Sequence, residues 1–472
     1  MDLSSNNLFG ISTYKARDLL LFGKMCNPVV VAIIDGGVDI DHEDLKNNIW
    51  SNLNEIPDNG KDDDKNGYID DIHGWNFLGS SKGSFLYDNS DLVRSLRLEL
   101  KRNNNNLVVS DLQRKLNEIR DPRKIDFLEK TKIYNALRHV TGSIGKEYPS
   151  AYEFKNYKYS TVAEEEMLIF MVKGLKSNPN FQMNFEQEYQ VRKNELDYWT
   201  NINYDPRAGN KEYSEPFHGN NDVKAFLPKH GTHVAGIIQS VAKANAKLMI
   251  LRAIPEGESV DKDFASAIYY AVDNGARIIN ISANKFSSSD KNSVDQAVKY
   301  AMLKNVLIIH ASGNNGIELK KESVFPNRYY TDGGEANAWI EVGASSFFND
   351  DHIAAKFSNY SKINVDVYAP GVEIRSAWYP EKYSIQSGTS MAAPVVSGLA
   401  ALIFSYYPKL NAIDVKDIIF RSVVPVIQKV KTKDGSLVNF TQLCASGGIV
   451  NAYTALKLAN KVYIEKGLNQ QN

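Results

Sequence analysis

Residues 29–37 read Val-Val-Val-Ala-Ile-Ile-Asp-Gly-Gly, a continuous apolar run that ends in a carboxylate and two glycines. Such a run, rich in β-branched side chains, is typical of a strand buried on both faces of a parallel sheet. Further short apolar runs of this kind are found at 247–253, 277–281, 306–311 and 339–343. Helical patterns at 261–274 and 292–304 separate some of these runs. The sequence therefore predicts a parallel sheet covered by helices on both faces.

The composition is that of an ordinary globular protein. The chain has 472 residues, of which 43% are hydrophobic and 24% are charged, so a large core is expected. The formal net charge of −1 provides no overall field that would attract nucleic acid or an anionic membrane, and we predict no nucleic-acid partner. Cys26 and Cys444 are too few for a disulfide framework, and whether they pair is left open.

No segment has the pattern of a targeting signal or a membrane anchor. Residues 1–24 lack the basic start and apolar run of a secretory signal. The longest apolar stretch, 391–407, includes Ser397, Gly398 and Ser405. We interpret it as a buried core helix rather than a membrane span, and we predict no transmembrane segment in this chain.

The character of the sequence changes between residues 80 and 215, where charged, Asn-rich and Tyr-rich stretches show helical periodicity. Apolar residues recur at helical spacing in three sets: Leu92, Leu96 and Leu100; Leu112, Leu116 and Ile119; Leu168, Met171, Val172 and Leu175. Asp121-Pro122 is typical of a turn. We predict a mostly helical insertion at 80–215, either a packed surface addition or a lid over a cleft.

Two acid–base candidates flank this insertion. Asp35 ends the first predicted strand at the carboxyl edge of the sheet, where open α/β folds build their sites, although a turn or cap role is the alternative. His230 opens the segment His-Gly-Thr-His-Val-Ala-Gly at 230–236. His230 and His233 together are also a possible metal pair, but the Glu of a zinc-protease helix is missing. A neutral histidine oriented by a carboxylate suits base catalysis, which favours His230 with Asp35.

Two further segments supply a hydroxyl and an amide. Ser390 lies in Gly-Thr-Ser-Met-Ala-Ala-Pro at 388–394, at the start of the long apolar helix. Free N–H groups and the helix dipole at such a position favour developing negative charge, while an ordinary helix cap is the alternative. Asn314 follows a predicted buried strand in His-Ala-Ser-Gly-Asn at 310–314. It either bonds its own backbone or donates to an oxyanion.

Taken together, these segments resemble the subtilisin-like serine peptidases, or subtilases, whose Asp, His, Asn and Ser motifs occur in this order. The resemblance covers 28–75 and about 217–460, and HGTHVAG and GTSMAAP are its most specific motifs. It implies one peptidase domain over 1–472, with the subtilisin-like three-layer α/β/α fold, a mainly parallel sheet and the helical insertion between the Asp and His motifs.

The resemblance also assigns catalytic roles. Asp35 orients the general base His230, and Ser390 is the nucleophile. Asn314 donates to the oxyanion, and His233 packs its helix. The implied activity is that of a serine endopeptidase acting through an acyl-enzyme. A catalytically silent, peptide-binding homologue is the alternative, which the four intact positions disfavour, and the Gly-x-Ser-x-Gly elbow of a lipase does not match.

The resemblance further implies that polypeptide substrates bind in an extended form, as an added strand. The implied substrate-contacting residues are Ser282, Ala283, Asn284, Ala311, Ser312 and Gly313. Asn284 and Lys285 stand where the family usually has glycines, so we expect them to narrow or polarise the specificity pocket. Gly36 stands where a Ser or Thr normally follows the catalytic Asp, so a possible hydrogen bond to that carboxylate is missing.

An acidic loop lies between the Asp and His motifs, within residues 58–73. It contains Asp-Asp-Asp-Lys-Asn-Gly-Tyr-Ile-Asp-Asp at 62–71, with oxygen ligands at alternate positions. The expected ligands are Asp62, Asp64, Asn66, the Tyr68 carbonyl and Asp70. His73 stands where an EF-hand has its bidentate Glu, so an EF-hand proper is not expected. We predict a structural Ca²⁺ ion, because clustered carboxylates repel one another without a cation; a solvated acidic turn is the alternative.

The remaining expectations concern location and assembly. Most subtilases of this kind are exported, so the resemblance predicts an extracellular, periplasmic or cell-surface protein whose signal lies outside this chain. We expect a monomer and no redox cofactor.

Overall fold

The computed structural model describes residues 9–102 and 106–468. The chain divides into two compact units. The first, which we call the sheet unit, comprises Met1–Leu86 and Arg207–Asn472, and the second, the helical unit, comprises Tyr87–Pro206. The helical unit lies within the range predicted for the helical insertion.

The sheet unit is organised around one large sheet. The strands, in chain order, are β1 Val29–Asp35, β2 Gly74–Asn76, β3 Gly79–Ser80, β4 Gly83–Ser84, β5 Ala246–Arg252, β6 Ile278–Ile281, β7 Leu307–Ala311, β8 Trp339–Ser345, β9 Val367–Pro370, β10 Ile374–Ala377, β11 Tyr383–Gln386, β12 Val424–Pro425, β13 Lys429–Lys431, β14 Leu437–Asn439 and β15 Gly448–Ile449. Within the described residues, nine of these form a sheet in the order β12-β15-β9-β8-β7-β6-β1-β5-β2. Its neighbouring strands are parallel except for β12 and β15.

Helices account for most of the remaining regular structure. The α-helices are α1 Thr13–Ala16, α2 Asp91–Arg102, α3 Asn106–Ile144, α4 Ala151–Asn156, α5 Val162–Ser177, α6 Phe181–Asn194, α7 Lys229–Ala242, α8 Asp261–Asp273, α9 Lys291–Leu303, α10 Thr389–Tyr406, α11 Ala412–Arg421 and α12 Ala452–Glu465. π-helical turns lie at Arg17–Leu21 and Glu195–Trp199, and 3₁₀ turns at Glu212–Ser214, Lys243–Asn245 and Phe440–Gln442.

Both faces of the sheet are buried, as the side chains of β1 show. Val31 and Ile33 are fully buried in an apolar cluster that includes α7 and α10. Ala32 and Ile34 are fully buried in a second cluster that includes α8 and α9. Because successive strand residues point to opposite faces, the sheet lies between two helical layers. The predicted three-layer α/β/α fold with a mainly parallel sheet is thus confirmed.

Helix α10 occupies the centre of the sheet unit. Of the helices in the described ranges, it is the one that is long and apolar enough to cross a membrane by length and composition, and 89% of it is buried inside the protein. It packs closely on α7, since a Cβ added at Gly398 would lie 2.6 Å from Cβ of Val241. These contacts agree with the interpretation of this stretch as a core helix.

The helical unit has its own apolar interior. Leu137, Phe154, Met167 and Met171 are nearly or fully inaccessible to solvent in one cluster. Helix α3 runs through Pro122, so the turn predicted at Asp121-Pro122 is wrong. A proline removes one helical hydrogen bond, and packing of the flanking turns of a long helix can compensate for that loss.

Candidate active site

Asp35 and His230 meet at the carboxyl edge of the sheet. Asp35 is the last residue of β1, and His230 lies in the first turn of α7. The Nδ1 atom of His230 is 3.0 and 2.9 Å from the two carboxylate oxygens of Asp35. The Gly36 backbone N–H also donates to Oδ1 of Asp35 at 2.8 Å. A backbone group therefore binds the carboxylate where Gly36 offers no hydroxyl.

Glycine at position 231 allows α7 to begin this close to β1. A Cβ at Gly231 would lie 2.2 Å from the carbonyl oxygen of Gly37 and 3.1 Å from Oδ1 of Asp35. The Gly37 backbone would have to move to accept even a methyl group. The His-Gly sequence thus lets the imidazole reach the carboxylate.

The electrostatics of the pair favour a histidine that takes up a proton. Burial acts to lower the pKa of His230, but the charge and hydrogen bond of Asp35, with a smaller contribution from Glu256, leave that pKa raised. The Asp35 side chain is 4% exposed, whereas 47% of the His230 side chain is open to solvent. Because Nδ1 faces a carboxylate, it carries the hydrogen in the neutral tautomer and leaves Nε2 as the basic nitrogen.

Ser390 lies in the first turn of α10 and is hydrogen-bonded to the segment that follows β6. Its hydroxyl donates to the Ser282 carbonyl at 3.0 Å, and the Ser282 hydroxyl donates to the Ser390 carbonyl at 3.0 Å. Pro394 has no N–H to serve as the helical partner of that carbonyl. The early proline in the motif therefore leaves a carbonyl that Ser282 satisfies.

Asn314 is held at the N-terminus of the same helix. Its Oδ1 accepts hydrogen bonds from the Thr389 backbone N–H and hydroxyl, both at 2.9 Å. The Thr389 hydroxyl in turn accepts the Gly313 N–H at 3.0 Å. These bonds fix the amide orientation, and Nδ2 lies 3.4 Å from the Cβ position of Gly388. Within the described residues, Nδ2 has no intramolecular acceptor, so it is available as a donor beside Ser390.

His233 has a different role from His230. It is fully buried, and its Nε2 lies 3.0 Å from the Ile374 carbonyl. Burial lowers the pKa of His233 to about 4, against the smaller opposing effect of the backbone carbonyls of Ser384 and Ile374. It is therefore neutral, and its Nε2 donates to backbone, so this nitrogen is not available to bind a metal together with His230.

Comparison with known proteins identifies the family. The model of the subtilase family matches residues 27–443. This chain is a subtilase. A thermophilic serine proteinase of Bacillus sp. (strain AK1) is 38% identical over 189 residues, which are 38% of this chain and 43% of that protein. An intracellular serine protease of Paenibacillus polymyxa is 34% identical over 206 residues, which are 41% of this chain and 59% of that protein.

The aligned regions are partial, since this subtilase spans 43% and 59% of the lengths of those two relatives. Among solved structures, a cold adapted subtilisin-like serine proteinase has 25% sequence identity and a TM-score of 0.39. That alignment covers 50% of this chain and 78% of the other.

The residues expected to contact substrate lie on two neighbouring segments of this subtilase. Ser282, Ala283 and Asn284 follow β6, and Ala311, Ser312 and Gly313 end β7 and begin the next turn. The segments are joined where Nδ2 of Asn284 donates to the Ala311 carbonyl at 3.2 Å. A Cβ at Gly313 would lie 2.9 Å from the same Nδ2 atom, so Asn284 stands directly against Gly313.

Lys285 does not behave as expected. Its side chain is 5% exposed, and its ammonium lies 2.9 Å from Oδ1 of Asp261 and 3.0 Å from the Ser259 carbonyl. The backbone of Lys285 pairs with Phe325 in both directions, at 2.9 and 2.8 Å. The expectation that Lys285 polarises the pocket is therefore wrong, because its charge is neutralised by a buried carboxylate.

The acidic loop gathers part of the predicted ligand set and one unpredicted residue. Carboxylate oxygens of Asp62, Asp64 and Glu55 lie within 4.8 Å of one another. The Asn66 backbone N–H donates to both Asp62 and Asp64, at 3.0 Å each. Asp70 differs from the others, because its carboxylate accepts the N–H groups of residues 59 and 60 at 3.1 and 2.9 Å.

Glu55 has no counterpart in the pattern used to predict the loop. It precedes the acidic run, yet its Oε1 accepts the N–H groups of Asp63 and Asp64 at 2.8 and 3.0 Å. Close by, Asp71 is fully buried, and burial raises its pKa against the opposing hydrogen bonds of Tyr270, Asn66 and Asn52. The grouped carboxylates are hard oxygen donors of the kind that Ca²⁺ prefers, so the residues present fit that ion.

The ring of Tyr68 packs against aromatic side chains next to the loop. The Tyr68 backbone N–H donates to Oδ1 of Asn66 at 2.8 Å, and the residue as a whole is only 8% exposed. The ring makes edge contacts with Trp75 and Tyr270, with centroids 5.0 and 4.9 Å apart. The loop is thereby fastened to the apolar layer beneath it.

Proposed function

We propose that this subtilase is a serine endopeptidase that cleaves polypeptides through an acyl-enzyme. The observation that best supports this function is the contact of His230 Nδ1 with both carboxylate oxygens of Asp35, 2.9 and 3.0 Å away. This contact lies at the carboxyl edge of the sheet. The candidate nucleophile Ser390 and the Asn314 amide lie at the same edge, at the N-terminus of α10.

The first chemical step uses the Ser390 hydroxyl. For attack, this hydroxyl exchanges its hydrogen bond to the Ser282 carbonyl for one to Nε2 of His230. His230 removes the proton as Oγ bonds to the scissile carbonyl carbon, and Asp35 stabilises the resulting imidazolium. The raised pKa of His230 supports this role.

The oxyanion is stabilised at the N-terminus of α10. Nδ2 of Asn314 and the Ser390 backbone N–H donate to the carbonyl oxygen as it becomes negative. His230 then gives its proton to the departing amine, and the C–N bond breaks. A water molecule, deprotonated by His230, releases the acyl group and restores the Ser390 hydroxyl.

Substrates are proposed to bind as extended polypeptides along residues 282–284. In the described part of the chain, the Asn284 backbone N–H and carbonyl have no intramolecular hydrogen bond. An extended peptide can therefore add to this segment as a further strand.

A structural Ca²⁺ ion is proposed for the acidic loop. Glu55, Asp62 and Asp64 would hold it, with Asn66 beside them. The ion would neutralise the repulsion among these carboxylates and take no part in the acyl transfer.

The direct test is hydrolysis of an unfolded protein such as casein. We expect purified protein in calcium to release peptides and the Ser390→Ala variant to release none above background. Ser240→Ala is the matched control, because this serine on α7 is exposed and its hydroxyl donates to the Ile237 carbonyl of its own helix. Equal hydrolysis by Ser390→Ala and the unmodified protein would contradict the proposal.

A further inference from the structure

A buried histidine lies behind the segment proposed to bind substrate. His310, in β7, is fully buried, and its Nε2 is 3.0 Å from the Ala283 carbonyl oxygen. Its Nδ1 is 2.8 Å from Oε1 of Glu341, the residue paired with it in the neighbouring strand β8. The side chain thus bridges the sheet and the segment after β6.

The partners determine which atoms donate. A backbone carbonyl only accepts hydrogen bonds, so Nε2 of His310 must carry the hydrogen that binds Ala283. A hydrogen also lies between Nδ1 and Oε1 of Glu341, because two acceptors cannot bond each other. The other carboxylate oxygen of Glu341 accepts the indole N–H of Trp339 at 2.8 Å. The imidazole is therefore held in one orientation.

Glu341 is itself rigidly placed. Its backbone N–H donates to Oδ2 of Asp366 at 2.7 Å, and its side chain is 5% exposed. Asp366 is in turn paired with the buried guanidinium of Arg328, with Nη1 3.1 Å from Oδ1. These contacts leave the Glu341 carboxylate little freedom, so it serves as a fixed support for His310.

The Ala283 carbonyl lies beyond the last backbone pairing between β6 and β7. The last residue of β6 paired with β7 is Ile281, opposite His310. Beyond that point, the next N–H that would face the segment after β6 is that of Gly313, because the Ser312 N–H points to β8 and donates to the Val342 carbonyl at 3.0 Å. The Gly313 N–H donates instead to the Thr389 hydroxyl at 3.0 Å. The His310 side chain therefore replaces a backbone partner for Ala283.

Ala283 stands between two residues of the proposed site. Ser282 exchanges hydrogen bonds with Ser390 on one side, and Asn284 contacts the wall of the pocket at Ala311 on the other. A displacement of the Ala283 carbonyl would turn the Asn284 backbone groups away from an extended peptide. Ser390 would be less affected, since its backbone is placed by the first turn of α10.

We propose that His310 is a positioning residue that sets the peptide-pairing geometry of Ser282–Asn284 through the Ala283 carbonyl. This inference rests on the proposed peptidase function, because it names the support of that same substrate strand. It predicts that His310 matters for extended peptides and hardly at all for reagents that engage only the nucleophile.

Two substitutions at His310 separate its two hydrogen bonds. In His310→Gln, the amide nitrogen stands near the position of Nε2 and can still donate to Ala283. In His310→Asn, the shorter amide stands near Nδ1, so it retains the Glu341 contact and loses the Ala283 contact. Both variants are polar and remove the ring, which makes each the matched control of the other.

The measurement compares kcat/KM for a tetrapeptide nitroanilide with kcat/KM for a single-residue ester. Both substrates carry the same residue on the N-terminal side of the bond that is cleaved. We expect His310→Asn to lower kcat/KM for the tetrapeptide about tenfold and to change that for the ester less than about twofold, as loss of one buried hydrogen bond implies. His310→Gln should stay within about threefold of the original protein on both substrates. The rate of fluorophosphonate labelling of Ser390 should be unchanged in both variants.

Equal losses on both substrates, or a tetrapeptide rate that is normal in a folded His310→Asn variant, would overturn the inference. If His310→Asn does not fold, the result for His310→Gln decides alone. A ratio of tetrapeptide to ester kcat/KM that stays near that of the original protein supports the role of the His310–Ala283 hydrogen bond, and a tenfold fall of that ratio in a folded protein rejects it.

Binding of a fluorescent tetrapeptide amide to Ser390→Ala, with and without His310→Asn, separates this inference from the proposed peptidase function. About tenfold weaker binding when His310→Asn is present supports the positioning role of His310 even if the protein hydrolyses no peptide, and unchanged binding rejects that role.

Discussion

The two units of the molecule place their charged side chains in different ways. In the sheet unit, Asp35 and His230 are in contact although they are 195 residues apart in the chain. Their positions depend on β1, on α7 and on Gly231, which lets α7 begin close to β1. In the helical unit, Arg114 pairs with Asp111 and Glu118 on the exposed surface of one helix. A long-range pair with a buried carboxylate is costly to disturb, whereas local exposed pairs contribute little. Substitution of Asp35 should therefore have a large effect and substitution of Arg114 a small one.

The largest effect is expected at the carboxylate of the proposed triad. Asp35→Asn keeps the size of the side chain but cannot hold His230 in the required tautomer, so kcat should fall by about 10⁴-fold. The measurement is steady-state hydrolysis of a peptide nitroanilide. Asp41→Asn is the control, because the Asp41 side chain is 76% exposed. A loss of less than about tenfold in Asp35→Asn would remove Asp35 from the triad.

A smaller loss is expected at the oxyanion donor. Asn314→Ala removes the Nδ2 donor, and kcat should fall by about 10²–10³-fold with little change in KM. The neighbouring Asn315→Ala should be near normal, since the side chain of Asn315 is exposed. If both variants had equal kcat, Asn314 would have no role in stabilising the oxyanion.

The pH dependence tests the electrostatics of His230. Protonated His230 cannot act as a base, so kcat/KM should fall as the pH drops through its pKa. Because that pKa is raised, the acid limb should lie above about pH 6.5, the ordinary value for histidine. Glu256 contributes to the raised pKa, so Glu256→Gln should move the limb to lower pH. A shift in the opposite direction would contradict the assignment.

Calcium removal should affect stability rather than chemistry. At free calcium 100-fold above Kd, a bound ion stabilises the folded state by about 2.7 kcal/mol, so a chelator should lower Tm. The double variant Asp62→Asn, Asp64→Asn should have a lowered Tm that no longer responds to the chelator. Asp58→Asn, at an exposed position of the same loop, should keep the response. A Tm independent of calcium in the unmodified protein would favour a solvated turn.

The smallest effect is expected in the helical unit. Arg114→Ala removes a side chain that is 58% exposed and breaks two surface ion pairs. We expect the midpoint of denaturant unfolding and the rate of peptide hydrolysis to stay within experimental error of the original protein. A clear loss of stability would show that the surface ion pairs of this unit contribute measurably to the free energy of unfolding.

The sequence predicts the central elements well because they are long and continuously apolar. The predicted strand at 247–253 corresponds to β5 Ala246–Arg252, and the predicted helix at 261–274 to α8 Asp261–Asp273. The shorter strand β9 Val367–Pro370 lacks such a run and is not predicted. In the helical unit, Pro122 signals a turn, but packing along a 39-residue helix overrides that local preference.

The candidate site is only partly predictable, for a related reason. Motifs reveal Asp35 and His230 because their neighbours are short, specific sequences. Glu55 lies outside the acidic run and becomes a candidate ligand only when the loop folds back on itself. The contact between His310 and Glu341 depends on the register of β7 and β8, which no local pattern in the chain encodes.

Fluorophosphonate labelling followed by peptide mass spectrometry is the most direct test of whether Asp35, His230 and Ser390 form a working catalytic triad. A working triad should give one adduct, on the peptide that contains Ser390, and the adduct should be lost in Ser390→Ala. An absence of adduct on folded protein in calcium, or an adduct that persists in Ser390→Ala, would contradict a triad with Ser390 as the nucleophile.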